Sequence, residues 1–204
     1  MPRLPLKTNQ RPNQWLIFFL LIIAISLLAQ TGCGKTSSAN AVHVKSGTTG
    51  EKDIAIKSGY AFPVTKTFTD INGKITTASA YNVYLANYDL DAKNFAMTLD
   101  KSLTSDDQVR VVFSLIGSEG TNDQSAPGTG TYGAKADKYL KAESAGIVAR
   151  KNGADVKSWL DRSMLTGEVK VASVSADEIS GDVNLSAGDT SIKGSFSAKV
   201  LKRK

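Results

Sequence analysis

Apolar and polar residues alternate with a period of two through the last third of the chain. The segments 168–173, 179–185 and 192–200 all follow this pattern. Successive side chains of a strand point to opposite faces of a sheet, so the pattern predicts an antiparallel meander with one buried and one solvated face. Gly181 and Gly194 stand on the apolar side of their segments. A glycine in that position predicts a bulge, a bend or a close approach of two backbones.

Further segments of strand character precede the meander. The candidate strands are 53–57, 60–68, 75–87, 95–99 and 108–116. Asn72-Gly73 and Asn152-Gly153 separate apolar runs, and this dipeptide predicts a hairpin because both residues tolerate positive φ. Short helical turns are predicted only at 135–142 and 158–164. Roughly eight to ten strands predict an all-β domain, either an antiparallel β-sandwich or a small β-barrel.

The first 32 residues have the composition of an export signal. Residues 1–14 are polar and basic, and residues 15–28, WLIFFLLIIAISLL, form an apolar run that only Ser26 interrupts. A bilayer core requires about 20 apolar residues, so this run is too short to span it. Its length matches the apolar region of a secretory signal peptide, which is removed from the mature protein. We therefore predict a signal peptide at 1–32.

Small residues lead from this run into Cys33, the single cysteine of the chain. The segment Ala29-Gln30-Thr31-Gly32-Cys33 resembles the lipobox of bacterial lipoproteins, although an aliphatic residue is usual where Gln30 stands. The resemblance covers the first 33 residues. It implies cleavage between Gly32 and Cys33 and a covalent lipid with fatty-acyl chains on Cys33. The alternative is that Cys33 is an incidental thiol of a released protein, cleaved after Ala29 or Gly32.

The residues after Cys33 are polar and rich in Ser, Thr and Gly. This composition predicts a flexible tether at 33–51 and a single all-β domain at 52–204. Lys35 is the second residue after the cysteine. Lipoproteins of Gram-negative bacteria with Asp at that position tend to stay in the inner membrane, so the resemblance implies a lipid-anchored protein of the cell envelope, in the outer membrane if the source is Gram-negative.

Charge excludes nucleic acid as a partner. The net charge falls from +6 to +3 without the first 32 residues, which hold three of the 25 basic residues and no acid. The remaining basic residues concentrate at Lys199, Lys202, Arg203 and Lys204, a run that is usually solvated or touches anionic lipid or sugar. Nucleic-acid binding requires a broad basic stripe with aromatic residues, which is missing. Nucleotide is also excluded, because Gly34-Lys35-Thr36 lacks the earlier glycine of a phosphate-binding loop.

Few residues could carry catalysis, and we predict no enzyme activity, no metal site and no cofactor apart from the lipid. His43 is the single histidine and falls in the predicted tether, so a Ser-His-Asp arrangement is excluded unless that segment folds back onto the domain. Zinc sites need several His or Cys ligands. The acidic pairs predict solvated carboxylates at strand ends and loops; they are Asp89 and Asp91, Asp106 and Asp107, and Glu119 and Asp123. Asp70-x-Asn72-Gly73 is similar to part of a calcium loop but lacks its later glutamate.

Tyrosines and one long loop are the remaining candidates for a binding surface. Tyr84 and Tyr88 should share a face of their strand, with Tyr81 on the opposite face. Such tyrosines pack in a core or stack on sugars, where Trp159 could join them. The loop at 117–131 is long for a compact domain, and loops of this length are functional or simply mobile.

Three functions follow from these observations. The first is a non-catalytic envelope module, held at the membrane by its lipid, that has a structural role or binds an envelope protein or a polysaccharide. The second is a lipocalin-like carrier with an apolar cavity lined by Phe113, Leu115, Ile192 and Phe196. The third is a glycan-active enzyme, which requires two carboxyl groups about 5 to 10 Å apart in one cleft.

Overall fold

Residues 40–94 and 101–201 are described by a computed structural model, and in these ranges the chain forms eleven strands and no helix. The predicted all-β class is therefore confirmed. The strands are β1 (Ala41–Ser46), β2 (Gly50–Ala55), β3 (Ser58–Thr69), β4 (Ile75–Ala86), β5 (Val109–Glu119), β6 (Gly130–Gly133), β7 (Lys141–Lys151), β8 (Ala154–Trp159), β9 (Thr166–Val174), β10 (Glu178–Ala187) and β11 (Thr190–Val200).

The strands form two layers that meet at two short seams. One layer has the order β2-β1-β11-β10-β9-β6, and the other has the order β3-β4-β5-β7-β8. At the first seam β11 pairs with β3 over two residues, and at the second β6 pairs with β7 over one. Because the two layers pair over so few residues, the fold is a β-sandwich rather than a clear barrel. Both seams are parallel, so the sheet is mixed, and the purely antiparallel arrangement that we predicted is wrong there.

The core lies between the two layers. The rings of Phe113 in β5 and Phe196 in β11 meet edge to face, with centroids 5.2 Å apart. Alternate residues of each strand join them, including Val83, Leu185 and Ile192, all of them buried. This alternation is the pattern that predicted the strands, because each strand turns every second side chain inward.

Both Asn-Gly dipeptides form the predicted hairpin turns. Gly73 has φ of 78°, and Asn152 and Gly153 have φ of 53° and 79°. In the first turn the Asp70 carboxylate accepts hydrogen bonds from the amides of Asn72 and Lys74, at 2.8 and 2.9 Å. Asp70 therefore serves the turn rather than a calcium loop.

The predicted meander is confirmed, and its two glycines lie where backbones approach closely. β9, β10 and β11 pair antiparallel, and a register shift, the mark of a bulge, falls at Ser180 and Gly181. A methyl group on Gly194, which has φ of 146°, would overlap the carbonyl oxygen of Ala41 in β1. Geometry explains both glycines, without a ligand.

Gly194→Ala is expected to lower the free energy of unfolding by about 2 kcal/mol, because the added methyl must push β1 away and the φ favours glycine. Chemical denaturation of the purified protein measures the change. Gly133→Ala is the matched control, since a methyl there has no contact closer than 3.8 Å. Equal stability of the two variants would contradict this explanation.

Parts of the predicted domain organisation are wrong. Residues 41–51, assigned to the tether, contain β1 and the start of β2, because Val42 and Val44 are buried and β1 pairs with both β11 and β2. At 135–142 and 158–164, where short helical turns were predicted, the described chain forms isolated hydrogen-bonded turns and no helix, and β7 and β8 occupy parts of both ranges. The signal peptide, Cys33 and the candidate strand 95–99 lie outside the described residues.

Candidate functional site

One outer face of the sandwich carries a row of large apolar side chains. On the layer β3-β4-β5-β7-β8, the register places four apolar side chains and one glycine, which Trp159 covers, side by side across five strands: Tyr60, Tyr84, Val112, Gly146 and Trp159. Their sequence neighbours, such as Ala61, Leu85 and Val111, are buried in the core, so the row points away from it. Strands lie about 4.8 Å apart, so the row is roughly 19 Å long. We call these five residues the aromatic strip.

Trp159 is the most exposed member of the aromatic strip, with 59% of its surface accessible. A methyl group on Gly146 would collide with its six-membered ring, so this ring lies flat over the glycine backbone. One ring face therefore rests on the sheet, and the side chain remains largely open to solvent. Such a fixed, flat indole presents a large contact area at low entropic cost.

Polar side chains run beside the aromatic strip. The next row of the register contains Phe62, Asn82, Ser114 and Ser144. The hydroxyl of Ser114 donates a hydrogen bond to the side-chain oxygen of Asn82 at 2.5 Å. Amide and hydroxyl groups next to an apolar surface are the combination that orients ligands rich in hydroxyl groups.

Tyr84 and Tyr88 pack on this side of the molecule, as predicted, with Tyr60 and Phe62 around Ala86 and Leu90. Burial raises the pKa of both Tyr84 and Tyr88. They are therefore partly packing residues, and the exposed end of the aromatic strip is Trp159. The sequence indicated the shared face of Tyr84 and Tyr88, whereas the register with Tyr60 and Trp159 depends on non-local pairing.

The opposite outer face is polar throughout its central rows. Its register aligns Glu168, Asn184, Lys193, His43 and Asp53 across five strands. In the neighbouring row Lys170 lies opposite Asp182. Opposite charges across a strand pair stabilise a solvated sheet surface. The two outer faces therefore differ in polarity: one aligns charged and polar residues, and the other aligns apolar residues.

His43 belongs to this polar face rather than to a tether. Its ring nitrogens lie 2.7 Å from Asp53 and 3.0 Å from Glu51, both on β2. The hydrogen bond with the Asp53 carboxylate, followed by the charges of Asp53 and Glu51, raises the pKa of His43 above 6.5 despite opposing desolvation. His43, Glu51 and Asp53 are partly exposed and all lie on the hairpin of β1 and β2. This arrangement is typical of an ion pair that stabilises the hairpin.

An NMR titration should find the pKa of His43 above 6.5, and Asp53→Asn should lower it toward 6.5. Because the folded pKa is raised, the stabilising effect is complete below 6.5 and disappears as the pH rises through the folded pKa. Lys170→Ser, on the same face, should leave the titration unchanged. A wild-type pKa at or below 6.5 would contradict the predicted ion pair.

The long loop after β5 is fixed by two tyrosines from inside the sandwich. The hydroxyl of Tyr81 donates to the carbonyl of Ser125 at 2.5 Å, and that of Tyr132 donates to the carbonyl of Gly128 at 2.8 Å. The side-chain hydroxyl of Thr65 also accepts a bond from the Asp123 amide at 3.0 Å. Burial, with smaller effects of Tyr132 and Asp123, raises the pKa of Tyr81 to about 12, so its hydroxyl remains a donor.

A cavity of about 410 Å³ lies beneath this loop, at the edge of β3 where β11 ends. Its lining residues come from five separate parts of the chain: Pro63, Tyr81, Asp123, Gln124, Ser125, Ala126, Pro127, Ser175, Ala176 and Val200. Asp123 is the one acidic side chain among them. The sequence indicated an unusual loop, and the tyrosines that hold it could be found only from the fold.

The acidic pairs that the sequence singled out make local ion pairs and hydrogen bonds in the described ranges. Asp89 and Asp91 line one cavity of about 250 Å³, but the Asp89 carboxylate lies 2.8 Å from the Lys57 ammonium. Hydrogen bonds from Asn94 and Lys93 lower the pKa of Asp91, whereas a general acid needs a raised pKa. Asp91 therefore stays ionised at neutral pH.

The other candidates are engaged in local structure. Asp106 contacts Arg150 at 3.7 Å, and the hydrogen bond from Ser105 lowers the pKa of Asp107. Glu119 ends β5, whereas Asp123 lies in the fixed loop. Among the described residues, no group of three or more His, Cys, Asp or Glu side chains could hold a metal ion.

Comparisons of the chain with protein-family models, with curated proteins and with solved structures found no match. In the described ranges, no helix has the length and hydropathy needed to cross a bilayer. The predicted site residues Gly32 and Cys33 lie outside those ranges.

Proposed function

We propose that this chain is a lipid-anchored protein of the cell envelope, without catalytic activity, whose β-sandwich binds a polysaccharide through the aromatic strip. The observation that carries the proposal is the contrast between the two outer faces. One face aligns charged residues of both signs, and the other aligns Tyr60, Tyr84, Val112 and Trp159. A contiguous apolar patch bordered by polar residues is typical of a binding surface.

The chemistry of the strip suits sugar rings. The C–H faces of a sugar are apolar and stack on aromatic rings, while its hydroxyl groups need hydrogen-bond partners. Trp159 provides an open ring face, and Asn82, Ser114 and Ser144 provide amide and hydroxyl groups one row away. The strip runs across five neighbouring strands, which suits an extended polymer better than a compact ligand.

The sequence supports the membrane anchor in this proposal. The lipobox-like segment ending at Cys33 supports a covalent lipid there, and several acyl chains hold a protein at a bilayer where one binds only reversibly. The resemblance to lipoproteins also implies the outer membrane as the destination in a Gram-negative cell. The partner class therefore includes polysaccharides of the envelope itself.

The lipocalin-like carrier function has less support than polysaccharide binding. Phe113, Leu115, Ile192 and Phe196, which should line the ligand cavity of a carrier, are each at most 3% exposed. The edge-to-face contact of Phe113 with Phe196 fills the space between the layers that a ligand would need. The glycan-active alternative would require a carboxyl group with a raised pKa, and the described acidic pairs are engaged in ion pairs and turns.

Trp159→Ala should weaken polysaccharide binding about tenfold, since a stacked aromatic residue contributes roughly 1.4 kcal/mol or more. Co-sedimentation of the purified protein with insoluble envelope polysaccharides, and affinity electrophoresis with soluble ones, measure the binding. Ile71→Ala is the matched control, because Ile71 is fully exposed on the β3–β4 turn, outside the strip. Both variants should unfold at the wild-type temperature.

The proposal fails if the wild type binds no polysaccharide saturably. It also fails if Trp159→Ala and Ile71→Ala bind equally well. Recovery of a protein partner that Trp159→Ala still binds would assign the function to a different surface.

A further inference from the structure

Two exposed residues of β8 combine an aromatic ring with a positive charge. Lys157 and Trp159 are alternate residues of the strand, so both point to the outer face, whereas Ser158 between them is buried. Alternate residues of a strand lie roughly 6.7 Å apart. The long side chain of Lys157 can therefore reach a charged group of a ligand that stacks on the Trp159 ring.

Lys157 belongs to a row of residues that borders the aromatic strip. The register places Ala86, Arg110, Val148 and Lys157 in this row, on the side of the strip opposite to Asn82. The strip therefore has amide and hydroxyl groups along one side and two cations along the other.

Arg110 adds positive charge beneath the surface of this row. It is 5% exposed, and its guanidinium donates a hydrogen bond to the Tyr88 hydroxyl at 3.3 Å. Burial raises the pKa of Tyr84, and the charge of Arg110 opposes this rise. The positive potential of Arg110 therefore extends to a residue of the strip itself. Because Arg110 is buried, Lys157 is the cation of this row that a ligand can touch.

Two carboxylates of the same face are matched by other cations. The Asp155 carboxylate lies 3.5 Å from the Arg150 guanidinium, and Glu143 forms an ion pair with Lys66. In the described ranges Lys157 belongs to none of the ion pairs. These two pairs therefore leave the positive charge beside the strip uncompensated, and such a surface attracts an anionic ligand.

We propose that the polymer bound by the aromatic strip is an acidic polysaccharide: a sugar ring stacks on Trp159 while a carboxylate or phosphate group of the polymer binds the Lys157 ammonium. This inference rests on the proposed function, because it concerns the same strip. The row of Asn82 then faces hydroxyl groups of the polymer, and the row of Lys157 faces its anionic groups. A hydrogen bond between two charged groups is stronger than one between neutral groups, so the anion adds to both affinity and orientation.

Three forms of one polymer separate charge from stacking: dextran, carboxymethyl dextran and dextran phosphate. Biolayer interferometry with each polymer immobilised measures the affinity of the purified protein. We expect at least one charged form to bind about tenfold more tightly than dextran at low ionic strength, which corresponds to roughly 1.4 kcal/mol. A preference for only one charged form identifies the anionic group that Lys157 binds.

Lys157→Gln should remove most of this preference and change the affinity for dextran less than about twofold, since it removes one charge and leaves the Trp159 ring in place. Lys193→Gln is the matched control, because Lys193 is an equally exposed lysine on the polar outer face. It should keep the preference. If the two variants lose the preference equally, the attraction belongs to the net charge of the protein and the inference is wrong.

Trp159→Ala separates this inference from the proposed function. It should weaken the binding of dextran and of the preferred charged form alike. If all three forms bind equally well and still require Trp159, the acidic preference is wrong while polysaccharide binding stands. Failure of both charged forms to bind also overturns the inference, whereas the proposed function fails only when envelope polysaccharides do not bind either.

Discussion

Phe113→Ala is expected to lower the free energy of unfolding by about 3 to 5 kcal/mol, the range for removing a large aromatic side chain from a packed core. Phe113 is fully buried between the layers and touches Phe196 edge to face. Neither layer can close the space, because each is held by its own ladder of hydrogen bonds. Urea denaturation monitored by circular dichroism measures the loss.

The same variant separates a packed interior from a ligand cavity. Phe113→Leu keeps most of the volume and should cost about 1 kcal/mol. If the interior held a ligand-sized cavity, both substitutions would cost little, and added apolar ligands would raise the melting temperature of the wild type. Such a result would contradict the filled core and favour the carrier function.

Cys33→Ser is expected to abolish incorporation of a labelled fatty acid, because the serine hydroxyl cannot replace the thiol that carries the lipid. Each buried methylene stabilises membrane binding by about 0.8 kcal/mol, so the loss of two or three acyl chains removes the anchor. When residues 1–32 are also exchanged for an ordinary cleavable signal peptide, the protein should move from the membrane to the soluble fraction.

Lys35→Ser is the matched control for this experiment, since it lies two residues from Cys33 and keeps the thiol. It should remain labelled and membrane-bound. A Cys33→Ser protein that stays in the membrane after the exchange would mean that another part of the molecule holds it there.

The sequence predicted the strands best where apolar and polar residues alternate clearly and turn residues stand at both ends of the segment. The meander of β9, β10 and β11 and both Asn-Gly hairpins lie where they were expected. β1 was missed because its flanks are rich in Ser, Thr and Gly. Val42 and Val44 alternate with His43 and Lys45, which is the pattern of a strand, but the run is short and the polar residues around it favoured a tether.

The pairing of strands distant in sequence could not be predicted. β1 adds to β11 across most of the chain's length, and the parallel seams depend on where β11 and β6 end relative to the other layer. Alternation shows which face of a strand is buried, but it does not show which strand lies beside it.

The same holds for the candidate site, where local sequence indicates which residues share a face but does not indicate which strands lie side by side. The shared face of Tyr84 and Tyr88 follows from their spacing of four. The alignment of Tyr60 with Tyr84, and of Gly146 with Trp159, is a property of the register between strands. Only the assembled sheet brings these side chains into one row, so single segments could not indicate the aromatic strip.

Mass spectrometry of the first peptide of the mature protein, purified from membranes, tests the lipid anchor most directly. The expected peptide begins at Cys33 and carries the added mass of a diacylglyceryl group, with or without a further amide-linked acyl chain. A mature chain that begins at Gln30 or Gly34, or one that begins at Cys33 with a free thiol, would contradict the proposed anchor.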